Sequence, residues 1–164
     1  MYEPIDFEFT EEERRLATDE GRRRQKVNEE KNLRGRNRGA EKGEEALKIH
    51  LIGAAGEMAV ASYLGLKEFL YEESDAKRGS YDLPPDIDVK TSQKHFYDLI
   101  VQLDDVKTKR YVHVSIENKK CIIHGWTTAE KVMKEKYIKD PKGGRPAYFF
   151  PKGLLEPMST LNLE

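Results

Sequence analysis

The segment Glu44–Gly65, EEALKIHLIGAAGEMAVASYLG, most constrains what this chain can become. Leu47, Leu51, Ala54, Ala55, Met58 and Ala61 recur at helical spacing, and Gly65 supplies a C-terminal stop. The centre of that helix is built from Gly and Ala, so it can lie close against a sheet. The segments that follow are of the strand type. Phe69–Tyr71 is a candidate short strand, and Ser80–Leu83 and Asp86–Thr91 read as two strand pieces joined through Pro84–Pro85. Tyr97–Leu103, Tyr111–Glu117 and Lys120–Trp126 are rich in β-branched and aromatic residues, with Asn118–Lys119 as a hairpin turn. Thr127 or Thr128 caps a helix over Ala129–Lys136. A Pro/Gly-rich loop at 141–146, an apolar patch at Ala147–Phe150 and an edge element around Leu154–Leu155 complete the chain. The order predicts an α/β domain with a mixed central β-sheet and helices against it.

Ahead of this lies a different kind of sequence. Thr10 followed by Glu13 forms a capping box, so a helix is expected from Glu11 to about Asn32. Its apolar face is thin, essentially Leu16, Ala17 and Val27, which means a helix docked on something else or mobile. Residues 33–43 carry glycines at 35, 39 and 43 with Arg34, Arg36 and Arg38 between them. That pattern reads either as a solvated linker or as an arm that grips phosphate. The division drawn is thus an N-terminal polar helical arm and basic linker over 1–43 and a folded domain over 44–164.

Composition excludes several classes. No apolar run approaches the length of a membrane span, and Met1–Phe9 carries Glu3, Asp6 and Glu8 rather than the apolar segment of a secretory leader. The lone Cys121 forms no disulfide framework and no cysteine zinc cluster, so a cytoplasmic protein is the expectation. The net charge of −1 decides little, because bases collect at Arg22–Arg38 and at Lys107, Lys109 and Arg110, and acids at 11–13, 41–45 and 72–88. His50, His95, His113 and His124 show no metal-ligand spacing; His50 stands two turns before Glu57, and His113 and His124 read as packing residues on adjacent strands.

Chemistry concentrates in one short stretch. Asp86, Asp88 and Lys90 alternate, so on a strand they share a face while Ile87 and Val89 enter the core. Two carboxylates and an ammonium side by side are costly unless something neutralises the acids. A divalent cation does so, and carboxylates at this density suit Mg²⁺ or Mn²⁺.

Asp82, five intervening residues and Asp88-Val89-Lys90, preceded by a helix carrying Glu57, resemble the signature of the PD-(D/E)xK nuclease superfamily over about residues 47–126. Tyr81 stands where that motif has Pro. The resemblance implies a restriction-endonuclease-like fold and a metal-dependent deoxyribonuclease. It implies metal ligation by Asp82, Asp88, the Val89 carbonyl and Glu57, with Lys90 orienting the attacking water and steadying developing charge. Ser92 and Gln93 would contact the nucleic acid. Asp82 is favoured on spacing, with Asp75 and Asp86 as alternatives for the same role. A phage or mobile-element enzyme of DNA processing or recombination, working as a homodimer, is the expected setting; a nuclease-shaped binding or assembly module without catalysis is the alternative. No G-x-x-x-x-G-K phosphate loop is present to suggest a nucleotide enzyme.

Overall fold

The computed structural model describes residues 1–33, 43–71 and 81–164. Its first element is a short strand that the sequence reading left out, β1 (Ile5–Phe7). The helix α1 (Glu11–Leu33) then begins as expected. Thr10 N–H donates to Glu13 at 2.9 Å and Glu13 N–H to the Thr10 hydroxyl at 3.1 Å, which closes the capping box.

α1 packs along α2 (Glu44–Leu64), and the way it does so explains its thin apolar stripe. The face turned inward carries Glu13, Glu20 and Gln25 along with Ala17, all buried. Buried carboxylates require partners: Glu13 pairs with Lys67 beyond α2 at 3.1 Å, Glu20 is neutralised within α1 by Arg23 and Arg24 at 2.8 Å, and Arg24 crosses to Glu57 of α2 at 2.8 Å. The helix is therefore docked, through ion pairs rather than through leucines. The segment set apart as an arm is joined to the rest by this contact and by β1, which hydrogen-bonds in the sheet.

α2 ends on Gly65, whose φ of 73° gives the left-handed cap. Glycine matters at two other points, where backbones nearly touch. A Cβ on Gly21 of α1 would stand 2.8 Å from the Leu51 Cα, and one on Gly56 of α2 would stand 2.0 Å from the Thr91 hydroxyl. The second helix is thus pressed between the first and the sheet. Its C-terminal half is buried on nearly every side, wider than the single stripe the spacing predicts.

Two sheets replace the one expected. The larger has the order β1, β5 (Lys120–Thr128), β4 (Arg110–Glu117), β2 (Ile87–Ser92), with β2 parallel to β4 and the other pairs antiparallel. The smaller joins β3 (Leu99–Gln102), β7 (Ala147–Phe150) and β6 (Ile138–Lys139), antiparallel throughout. One core lies between α2 and the larger sheet, around Val60, Ile87, Val112 and Ile123. A second lies between the two sheets, around Leu99, Val101, Tyr111 and Phe150.

The β4–β5 hairpin turns at Asn118 and Lys119, both with positive φ as a type I′ turn requires. Thr128 caps α3, accepting from Lys131 N–H, but α3 stops at Val132 instead of Lys136. The chain leaves it so that Tyr137 can enter the second core and β6 can reach β7. Phe69–Tyr71 is no strand: Lys67–Phe69 forms a 3₁₀ turn, and Tyr71 follows with φ 61°. Leu154–Leu155 falls at the end of a further 3₁₀ turn, and the edge pairing is made one residue later, between Glu156 and Trp126. No helix among the described residues is long and apolar enough to cross a membrane.

Candidate functional site

The site lies along β2, an edge strand of the larger sheet. Ile87 and Val89 face α2 and the core, and Asp88 and Lys90 face the opposite side with Tyr111. The outer edge of β2 is partly closed by residues 82–83. Asp82 and Leu83 N–H both reach the Ile87 carbonyl, and Ile87 N–H returns to Leu83 at 2.9 Å. This tight return through Pro84–Pro85 swings Asp82 alongside β2, where its carboxylate accepts the Val89 N–H at 2.8 Å.

Four of the expected residues come together here. Asp82 shares a hydrogen bond with Asp88 and feels the charges of both Glu57 and Asp88. Burial, reinforced by those two carboxylates, pushes its pKa up to about 8, against the single Val89 donor that favours ionisation. Lys90 Nζ lies 3.0 Å from Asp88 and 3.1 Å from Asp105, with the Tyr111 ring centroid 5.7 Å away. Burial opposes the Lys90 charge, but the two aspartates outweigh it and hold its pKa above the ordinary value.

Asp86, expected on the same face, is elsewhere. It precedes the strand, and its carboxylate accepts from the Arg110 guanidinium at 2.8 Å while its carbonyl accepts the Arg110 N–H at 3.0 Å. That pairing removes it from the competition with Asp82. Asp75, Arg34, Arg36 and Arg38 lie outside the described residues. Ser92 ends β2, on the Lys90 face, and Gln93 follows it, half-buried.

The structure adds groups that the sequence did not single out. Arg24 of α1 grips Glu57 with two hydrogen bonds of 2.8 and 2.9 Å and Glu20 with a third of 2.8 Å. The Tyr71 ring lies 5.5 Å from the Arg24 guanidinium, and the Tyr71 hydroxyl donates to the Ala54 carbonyl. Asp105, from the turn after β3, accepts from Lys90 and from Lys109 at 3.1 Å, and Lys109 also stands 3.7 Å from Asp88. Lys109 belongs to a basic cluster visible in the sequence. Arg24 sits inside Arg22–Arg24 with nothing local to distinguish it, and only the crossing of the two helices shows which of the three points at Glu57.

The arrangement is an acid cluster of Glu57, Asp82, Asp88 and Asp105 laced with Arg24, Lys90 and Lys109. Among the described residues no three Asp, Glu, His or Cys side chains converge as a ready-made metal cage. Asp82 and Asp88 suffice for Mg²⁺, which commonly takes one or two carboxylates and leaves its remaining positions to water and substrate phosphate. The buried Asp82 carboxyl, crowded by two other acids and short of donors, fits a hard cation. No family profile, characterised relative or solved structure matches this chain.

Proposed function

We propose that this chain is a restriction-endonuclease-like, metal-dependent nuclease that hydrolyses phosphodiester bonds in DNA. The observation that carries the reading is the convergence of Glu57, Asp82, Asp88 and Lys90, from a helix, a turn and a strand, at the edge of one sheet. Carboxylates packed so that one of them resists ionisation cost the fold stability at neutral pH, a cost that a cation among them would relieve. They are what a cation site requires before the cation arrives.

Asp82 and Asp88 are the residues that would hold Mg²⁺ or Mn²⁺, with Glu57 and the Val89 carbonyl as the further ligands the superfamily resemblance implies. When bound, the ion supplies Lewis-acid polarisation of the scissile phosphate. Lys90 keeps its charge because Asp88 and Asp105 flank it, and it donates to phosphate oxygen as negative charge develops there. Lys109 holds Asp105 in place for that task. Arg24 fixes the rotamer of Glu57. DNA as the substrate, a paired chain to cut both strands, and a role in phage or mobile-element DNA processing rest on the resemblance.

One observation favours the alternative of a binding module: in the structure described, Glu57 is already neutralised by Arg24. Incubation of supercoiled plasmid, linear duplex and single-stranded DNA with Mg²⁺, Mn²⁺ or EDTA, beside the Lys90→Ala protein, decides between them. Metal-dependent cutting that Lys90→Ala loses establishes the nuclease. DNA binding without cutting in any metal establishes the module.

A further inference from the structure

A cleft of about 660 Å³ opens on the outer face of the smaller sheet, away from both cores. Its chemistry is aromatic and basic. Phe96 and Tyr97 stand edge to face at its rim, ring centroids 4.9 Å apart, and are 69% and 42% exposed. Phe149 contributes a third ring, and Lys142 and Arg145 come from the loop between β6 and β7. That loop is built rather than loose: the Asp140 carboxylate accepts the N–H groups of Gly144 and Arg145 at 2.7 and 3.1 Å. Among the described residues neither Lys142 nor Arg145 has an ion-pair partner. Among the described residues that line the cleft the one acid is Asp98, and it accepts the Lys152 N–H at 3.0 Å.

Large exposed rings beside unpaired cations are an unusual way to leave a surface. Together they match a strand whose bases stack and whose phosphates need cations. One β-turn joins the cleft to the candidate site. Gln102 lines the cleft, and the Asp105 N–H bonds to the Gln102 carbonyl at 3.2 Å, closing a β-turn. The far end of that turn, within about 7 Å, is the Asp105 whose carboxylate holds Lys90.

We infer that this cleft binds unpaired nucleotides of a DNA strand, one β-turn away from the Lys90 ammonium that would contact the scissile phosphate, so that the substrate is single-stranded or carries an unpaired flank. The inference rests on the nuclease reading for its placement. Its chemistry stands separately: a duplex base has both faces occupied by its neighbours and offers none to Phe96 or Tyr97, whereas an unpaired base offers two. A volume of this size is that of a small-ligand cleft, suited to one or two bases rather than to a double helix.

The test is fluorescence anisotropy of the full chain with labelled oligothymidylate and with a duplex of equal length, in EDTA so that nothing is cut. Plasmid cleavage by the parent and by Asp88→Asn is measured in parallel. The parent should bind the single strand more tightly than the duplex. Phe96→Ala/Tyr97→Ala, with an unchanged melting temperature, should weaken single-strand binding by about ten- to a hundredfold. Lys142→Ser/Arg145→Ser should flatten the dependence of log affinity on log salt by about 1.4, two phosphate contacts' worth. Equal affinity for duplex and single strand, with both variants binding like the parent, overturns the cleft assignment. If the plasmid is then still cut and Asp88→Asn abolishes cutting, the nuclease stands without the cleft. Cleft-dependent binding with no cutting in any metal sustains the cleft and overturns the nuclease.

Discussion

Arg24 and Glu57 face each other across the α1–α2 contact with both guanidinium Nη atoms on both carboxylate oxygens, at 2.8 and 2.9 Å. The bidentate geometry is the strong form of such a pair. Glu20 and the Tyr71 ring complete the surroundings of Arg24, and its pKa is raised well above the ordinary value because these carboxylates outweigh the cost of burial. Removing Arg24 leaves Glu57 without its guanidinium, whereas removing Glu57 leaves Arg24 with Glu20. Arg24→Gln should lower stability by about 1–3 kcal/mol, less than for a fully buried pair because Arg24 is partly exposed. In a double-mutant cycle with Glu57→Gln the two effects should fall short of additivity by about 1 kcal/mol or more. Urea unfolding of the four proteins measures this; additive losses would show that the pair carries no coupling.

Asp82 acts on stability in the opposite sense. Its folded-state pKa near 8 lies above the roughly 3.9 of an unfolded aspartate, so the folded protein binds the proton more tightly. The stability this brings is complete below about pH 4 and is lost as pH rises toward 8. Asp82→Asn keeps an acceptor for the Val89 N–H and removes the titration. The variant should match the parent near pH 4 and melt above it at pH 8. One pKa unit is worth about 1.4 kcal/mol, so even a single unit gives about 3–6 °C in a chain of this size. A melting temperature unchanged at both pH values would mean that Asp82 ionises freely in the folded protein.

Divalent cations should reverse that penalty. On the proposed reading, Mg²⁺ or Mn²⁺ at a hundredfold excess over its dissociation constant stabilises the parent by about 2.7 kcal/mol. The effect should grow from pH 6 to pH 8, because Asp82 must release its proton to become a ligand. Asp88→Asn should lose the metal-induced melting shift. Lys90→Ala should keep it while cleavage falls by about 10²–10³. A shift that survives Asp88→Asn places the cation elsewhere.

How much of this could be read in advance follows from where each signal lives. Thr10 with Glu13, Gly65, Asn118–Lys119 and Thr128 are local devices, and each is found in the structure at its place. The shared face of Asp88 and Lys90 is also local, a consequence of strand pleating. Asp86 lacked any local mark of its difference from Asp88; the strand begins one residue after it, and Arg110, 24 residues away, claims it. The division into two sheets was equally hidden, since β3 finds its partner in β7 some fifty residues later. Whether α1 is docked or mobile stayed open in the sequence because hydrophobic periodicity finds apolar faces, and this helix buries glutamates.

The polar cluster behind β4 provides a second pH response. A bulge between His113 and Val114 leaves His124 unpaired in the ladder and stacks its ring on His113 at 4.7 Å. His124 is held by the Tyr2 hydroxyl at 2.6 Å and the Ser115 hydroxyl at 2.7 Å, and His95 reaches the same Ser115 oxygen at 2.6 Å. Burial drives His113 down to about 4 and His124 to about 3, with nearby Lys152 adding to both. Both lie below the roughly 6.5 of the unfolded chain, so the unfolded state takes up protons first. Stability is complete above about pH 6.5 and is lost as pH falls toward 4. Measured in the Asp82→Asn background, which removes the opposing carboxyl titration, the urea midpoint should be lower at pH 5 than at pH 7. An equal midpoint at the two pH values would mean that these rings take up protons in the folded state as readily as in the unfolded one.

Gly56 gives a test of the packing that brings Glu57 to the sheet edge. An added Cβ would lie 2.0 Å from the Thr91 hydroxyl and 3.0 Å from its Cβ, too close for either group to stay in place. Gly56→Ala would gain about 1 kcal/mol of helix propensity in an open helix. Here it must push α2 away from β2, and overpacking of this kind costs about 1–3 kcal/mol. The net expectation is a lower melting temperature, with part of the loss recovered in Gly56→Ala/Thr91→Ala, since the hydroxyl is the nearest obstacle. Because the helix carries Glu57 and the strand carries Asp88 and Lys90, the single variant should also weaken metal binding without altering any ligand. Isothermal titration with Mn²⁺ on the two variants would show whether affinity follows the separation of α2 from β2. A Gly56→Ala protein as stable as the parent, with unchanged Mn²⁺ affinity, would show that α2 is free to shift against the sheet.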